Sequence, residues 1–183
     1  LTEAQTADEE AIQRLQQEAR AASAIDHENI VDVTHLGQSK DGVVFVVMEL
    51  LRGENLGQRI ERSVAAQEPI PPEETREVVA QVLRGLAAAH AAGIVHRDLK
   101  PENVFLAERR GRVTPKIVDF GISKLQRSAE DMRLTRTGQL LGTPLYMAPE
   151  QSRGGAEEID ARADLYSLGI IAYEMLTGRH PFP

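Results

Sequence analysis

Cysteine is absent from all 183 residues, so neither a disulfide nor a thiolate metal site belongs to this protein. A reducing compartment suits such a chain. No apolar run approaches the roughly 20 residues of a membrane span. The apolar stretch from Val43 to Met48 is short and is closed by Glu49. The opening residues show no secretory pattern, because Glu3, Asp8, Glu9 and Glu10 are acidic. A basic face is missing too, and a formal net charge of −7 argues against a nucleic-acid partner. The one basic cluster, Arg109-Arg110-Gly111-Arg112, reads as a solvated hairpin turn between two short strands. Finally, no glycine precedes Gly37 and no lysine precedes Lys40.

What remains is an ordinary globular composition, 42% hydrophobic and 27% charged. A chain of this length buries roughly 70% of its unfolded surface around one core. Residues 3–24 are rich in helix-forming Ala, Gln, Glu and Arg. Ala11, Leu15, Ala19 and Ala22 make one stripe there, with Glu18 at its border. A carboxylate beside a packed face calls for a cation, unless Glu18 lies at an exposed helix edge. Residues 30–36 and 43–50 read as two strands around the turn Ser39-Lys40-Asp41-Gly42.

From Gly53 the pattern turns helical, with a short helix expected over Leu56 to Val64. Pro69 to Pro72 then lead into a long helix striped by Val78, Val79, Val82, Leu83, Leu86 and Ala89, ending at Gly93. Another apolar helix is predicted over 160–177, with Leu165, Leu168, Ile171, Ala172, Met175 and Leu176. Residues 122–143 are polar and lack either periodicity.

The chemistry concentrates in His96-Arg97-Asp98-Leu99-Lys100-Pro101-Glu102-Asn103. One short loop there carries a carboxylate, an ammonium and a carboxamide, a trio suited to orienting a hydroxyl, steadying a phosphate and holding a divalent metal. Alone, the match could be chance. It is followed in order by Asp119-Phe120-Gly121 and Ala148-Pro149-Glu150. Together the three resemble the protein kinase signature set. Lys100-Pro101-Glu102 resembles serine/threonine rather than tyrosine kinases. Gly142-Thr143-Pro144-Leu145-Tyr146-Met147-Ala148-Pro149-Glu150-Gln151 resembles the bacterial, eukaryotic-like (Hanks-type) serine/threonine kinases.

That resemblance implies an α+β, two-lobed kinase fold. Residues 1–48 would be an N-lobe remnant of one helix (αC in the family's naming) and two strands. Residues 49–52 would be the hinge and 53–183 a mainly helical, partial C-lobe. It also implies ATP and Mg²⁺ as cofactors and protein serine and threonine hydroxyls as substrates. Asp98 would orient the hydroxyl and take its proton, positioning mattering more than basicity. Lys100, two residues on in an extended loop, would face the same side and neutralise phosphate charge. Asn103 and Asp119 would offer hard oxygens to Mg²⁺.

Met48 matches the gatekeeper, or simply a buried strand methionine, and main-chain groups of Glu49 and Leu51 would meet the adenine edge. Phe105 joins this nucleotide set, as does Glu18, which pairs with a strand lysine in the family. Phe120 would pack beneath the Glu18 helix. His96 reads as a hydrogen-bonding core residue rather than a base. Arg97 would receive a phosphate from Thr135 or Thr137 in the activation loop. Thr143 would help select serine and threonine over tyrosine, and Asp164 would anchor the loop backbone.

Departures from the family matter as well. Neither a glycine-rich phosphate loop nor the strand lysine is present, and the chain starts at Leu1 and stops at Pro183. The expectation is therefore a piece of a longer kinase, inactive by itself, whose parent is switched by activation-loop phosphorylation. The kinase domain would be cytoplasmic, with any membrane anchor elsewhere in the parent, and a homodimer would serve autophosphorylation. One alternative is a pseudokinase acting as a binding or scaffolding module. Another is a small-molecule phosphotransferase of the aminoglycoside type, which Arg97, Lys100-Pro101 and Ala148-Pro149-Glu150 disfavour.

Overall fold

A computed structural model describes residues 25–39, 44–120, 145–152 and 159–182. Glu18, Thr135, Thr137, Thr143, Gly121, the expected helix over 3–24 and most of the Ser39–Gly42 turn lie outside the described residues.

Strands β1 (Val33–Gln38) and β2 (Val44–Met48) pair antiparallel, with an irregularity between Val33 and His35. The first strand starts three residues later than its Val-rich run suggests. Ile30 and Val31 are buried elsewhere: Ile30 bridges Ile117 in parallel, and the Val31 amide donates to the Ile117 carbonyl at 3.0 Å. These two side chains serve the core of the larger part rather than the hairpin.

Gly53–Asn55 forms a short strand, β3, just before the expected helix, in a stretch for which no strand was expected. It pairs antiparallel with β4 (Val104–Arg109), which pairs in turn with β5 (Arg112–Ile117). The turn between them has Arg110 at φ 52° and Gly111 at φ 77°. Two successive positive φ values match the right-handed twist of a two-residue hairpin. The basic cluster is thus the exposed hairpin turn that its sequence suggested.

Helix α1 (Leu56–Ala66) starts from a reciprocal cap. The Asn55 side chain accepts the Gln58 amide at 2.9 Å, and the Gln58 side chain accepts the Asn55 amide at 2.9 Å. Helix α2 (Pro72–Ala91) has proline at its first position and Glu73 and Glu74 in its first turn, both favourable at the positive end of the dipole. It stops where Gly93 turns to φ 75°. There the Gly93 amide donates to the His90 carbonyl and the Ile94 amide to the Ala89 carbonyl, both at 2.9 Å. That pair of bonds is a Schellman closure, and it aims the chain into the loop that follows.

A 3₁₀ turn (Pro101–Asn103), helix α3 (Pro149–Ser152) and helix α4 (Arg162–Thr177) complete the described elements. Helix α2 packs between β5 and α4. Val82, Leu86, Ala89, Leu99, Val104, Ile117, Ile171 and Met175 fill the core between them. The loop from His96 to Lys100 runs directly over this core.

Candidate active site

The site is built on one buried carboxylate. Asp164, in the first turn of α4, is fully buried. Its Oδ2 accepts the His96 amide at 2.9 Å and lies 2.7 Å from His90 Nε2; its Oδ1 accepts the Arg97 amide at 2.8 Å. Burying a carboxylate is costly unless such partners surround it. The same bonds hold two consecutive peptide groups in a loop that has no regular structure of its own.

Arg97 takes φ 67°, a left-handed conformation that a long side chain adopts only under external support. The support reaches both of its peptide groups. Asp164 holds its amide, and Gln151 Nε2 donates to its carbonyl at 2.7 Å. The Gln151 side-chain oxygen meanwhile accepts the Ala148 amide at 3.0 Å, so the Ala148–Gln151 segment is tied to the loop. Ser167 Oγ donates to the Tyr146 carbonyl at 2.7 Å, and the Tyr146 hydroxyl donates to Glu174 at 2.5 Å. Burial, with Glu174 adding to it, pushes that hydroxyl well above its ordinary value. The half-buried Arg97 guanidinium reaches only the Ile159 carbonyl, at 3.5 Å, and no carboxylate pairs with it among the described residues.

His96 is fully buried. Its Nε2 donates to the Val118 carbonyl at 2.9 Å, while Nδ1 accepts the Asp98 amide at 3.3 Å. Its ring meets Phe120 edge-on at 4.8 Å. Burial pulls the imidazole below 6.5, overcoming the Val118 bond and the nearby Asp164, Asp98 and Asp119 charges. A neutral His96 therefore bridges the loop to the strand end that carries Asp119.

Asp98 and Lys100 turn the other way, towards water. Their side chains are 35% and 39% exposed, and Lys100 Nζ lies 3.2 Å from Asp98 Oδ2. Asn103 is buried, and its Nδ2 donates to the Asp98 carbonyl at 2.8 Å. Its amide oxygen is thereby left as the acceptor. The Val118 amide donates to the Asn103 carbonyl at 2.9 Å, which brings exposed Asp119 next to the loop. Asp119 also has positive φ, 63°. One amide oxygen and one carboxylate suit Mg²⁺ well, since that ion takes one or two protein oxygens and fills its shell with phosphates and water.

The expected adenine-side residues form a second group. Met48 is 37% exposed, which corrects its reading as a buried strand methionine, and Leu50 is 88% exposed. The Glu49 amide donates to the Asp32 carbonyl at 2.9 Å. Its carboxylate accepts the Asp32 amide at 2.9 Å and Lys116 Nζ at 2.6 Å. Burial would raise the Glu49 carboxyl, but those bonds and the charges of Lys116 and Arg109 hold it below 4.5. Phe105, half-buried on β4, stands opposite Lys116 on β5.

The structure thus brings Asp98, Lys100, Asn103 and Asp119 together. Met48, Glu49, Leu51 and Phe105 gather around β2 and the β4–β5 sheet. Sequence reasoning missed His90, Gln151, Lys116 and Asn29. Asn29 is fully buried, and its Nδ2 donates to the Gln81 side chain at 3.0 Å and the Pro115 carbonyl at 2.9 Å. It follows Asp26-His27-Glu28, so in the sequence it reads as one more polar loop residue.

The protein kinase domain family matches residues 1–183. The chain is 44% identical over 177 residues to the serine/threonine-protein kinase pkn3 of Myxococcus xanthus, covering 96% of this chain and 31% of that protein. It is 46% identical over 174 residues to the serine/threonine-protein kinase Pkn1 of the same organism, covering 94% and 24%. With the serine/threonine-protein kinase PrkC of Bacillus subtilis it shares 39% identity over 175 residues, covering 96% and 25%. Across relatives of this kind the chain spans 20% to 41% of their length.

Proposed function

This chain belongs to the protein kinase family, in its bacterial serine/threonine branch, and we propose that the protein moves the terminal phosphoryl group of ATP onto serine and threonine hydroxyls of other proteins. Asp98 orients the attacking hydroxyl and receives its proton as the new O–P bond forms and ADP leaves. Lys100 neutralises charge on the passing phosphoryl group. Asn103 and Asp119 hold Mg²⁺, which supplies charge compensation on the nucleotide phosphates.

The Glu49 carbonyl and the Leu51 amide take the adenine edge, beside Met48 and over Phe105. The Glu49 amide is excluded from that task, because Asp32 already occupies it. Glu18 orders the phosphate end. Arg97, lacking a carboxylate among the described residues, receives phosphate on Thr135 or Thr137, and Thr143 shapes the acceptor pocket. Residues 1–48, 49–52 and 53–183 act as N-lobe, hinge and C-lobe. The domain works in the cytoplasm, and two copies meet for autophosphorylation. No described helix is long and apolar enough to cross a membrane.

The observation that carries this reading is the Asp164 anchor, which fixes the loop from behind and leaves Asp98 and Lys100 side by side in front. The test is transfer from radiolabelled ATP by the complete protein, followed by identification of the labelled amino acid. Phosphoserine and phosphothreonine are expected, and Asp98→Asn is expected to lower kcat by about 10²-fold or more. Equal activity in that variant contradicts the assignment.

A further inference from the structure

Lys116 has no part in the chemistry above, yet among the described residues its side chain ties Glu49 to β5, the strand that leads to Asp119. Its side chain is 17% exposed, and its ammonium donates to Glu49 Oε1 at 2.6 Å and to the Ile30 carbonyl at 3.2 Å. The same Glu49 oxygen accepts the Asp32 amide at 2.9 Å, and the Asp32 carbonyl accepts the Glu49 amide at 2.9 Å. Residue 49 is therefore held on its amide and on its side chain, and its own carbonyl remains for a ligand.

Lys116 stands on β5, three residues before Asp119, and opposite Phe105 on β4. The main chain reinforces the same junction. The Ile117 amide donates to the Asn29 carbonyl at 2.9 Å, and the Val31 amide donates to the Ile117 carbonyl at 3.0 Å. The stretch 29–32, Glu49 and the strand that leads to Asp119 thus meet at Lys116.

We infer that Lys116 is a positioning residue for the nucleotide: through Glu49 it sets the hinge carbonyl and Leu51 amide at a fixed distance from Asp119, so that one ATP molecule engages both ends. The inference rests on the nucleotide site proposed above. A charged, compact head on a flexible stem suits this task, because it bonds a carboxylate and a carbonyl at once. Water on the open side screens the pair, so the effect is moderate and falls on nucleotide affinity rather than on the fold.

The test is calorimetric titration of the complete protein with a non-hydrolysable ATP analogue and Mg²⁺, alongside steady-state kinetics. Lys116→Met is expected to weaken analogue binding about fivefold, the scale of a partly screened ion pair, and to raise the KM for ATP more than it lowers kcat. Lys116→Arg, which keeps a cation, is expected to stay within about twofold. Glu49→Gln in the Lys116→Met background is expected to add little, because the two side chains act as one unit.

A merely structural lysine would lower the melting temperature but leave affinity intact well below it, and that result overturns the inference. Glu49→Gln and Lys116→Arg keep the test decisive should Lys116→Met fold poorly. Calorimetry also separates the two levels. Lys116-dependent binding without Asp98-dependent transfer supports the inference while contradicting phosphoryl transfer. Absence of binding to the unaltered protein overturns both.

Discussion

Asp164 and Glu49 are two carboxylates that each accept a main-chain amide and a nitrogen-bearing side chain, one beneath the His96–Lys100 loop and one just after β2. Their surroundings differ. Asp164 is fully buried and spends both oxygens on His90, His96 and Arg97, whereas Glu49 is 32% exposed and spends one oxygen on Asp32 and Lys116. A buried carboxylate with every partner in place tolerates little displacement, because any lost bond leaves an uncompensated charge. A hydrated ion pair loses less when it opens. The loop that carries Asp98 thus has the rigid anchor, and the segment after β2, proposed above to admit a nucleotide, has the yielding one. The neighbouring surface follows the same division: Phe45 and Val47 on β2 are each 44% exposed, while Leu99 in the loop is 1% exposed.

The largest effect that would break this contrast is expected from Asp164→Ala. It strands the His96 and Arg97 amides in a dry site and is expected to cost about 3–5 kcal/mol in urea unfolding. A loss below about 1 kcal/mol would place the loop's support elsewhere.

Acid gives the next effect, through His96. Burial holds this imidazole below 6.5, so as pH falls under 6.5 the unfolded chain takes up a proton that the folded chain refuses. Stability from this group is complete above 6.5 and declines below it, towards the lower folded value, by at most about 1.4 kcal/mol per pH unit. Glu49 enters later with the same sign: its carboxyl is held below 4.5, so its contribution is lost only as pH falls further. Urea midpoints between pH 7.5 and 5, roughly the window of the first loss, are expected to fall in the unaltered protein and to flatten in His96→Gln.

Gln151→Ala removes the donor to the Arg97 carbonyl and is expected to cost about 1 kcal/mol, since the bond is only half-buried. The smallest stability effect is expected at the hinge. Lys116→Met should change unfolding free energy by about 1 kcal/mol or less, even with the loss of nucleotide affinity inferred above. A cost as large as that of Asp164→Ala would erase the distinction between the two regions.

Much of this arrangement was legible in the sequence, because its signals are local. The 3.6-residue stripes marked α1, α2 and α4; Gly93 marked the end of α2; Arg110-Gly111 marked a turn; and the loop residues Asp98, Lys100 and Asn103 lie within one short span. The strand Gly53–Asn55 was hidden, as three residues are too few to display alternation. The start of β1 was misread because Ile30 and Val31 look like strand residues while packing against Ile117. His90 and Lys116 were hidden for another reason: their partners stand 74 and 67 residues away, and no local pattern marks such a pair.

The anchoring of the His96–Lys100 loop by Asp164 is tested most directly by amide hydrogen exchange, read by NMR on the ¹⁵N-labelled protein without nucleotide. The His96 and Arg97 amides should be protected to the level of the α2 core amides, and the Leu51 amide, which has no partner among the described residues, should exchange about 10³-fold faster. Exchange of His96 and Arg97 at the rate of Leu51 would contradict the anchor.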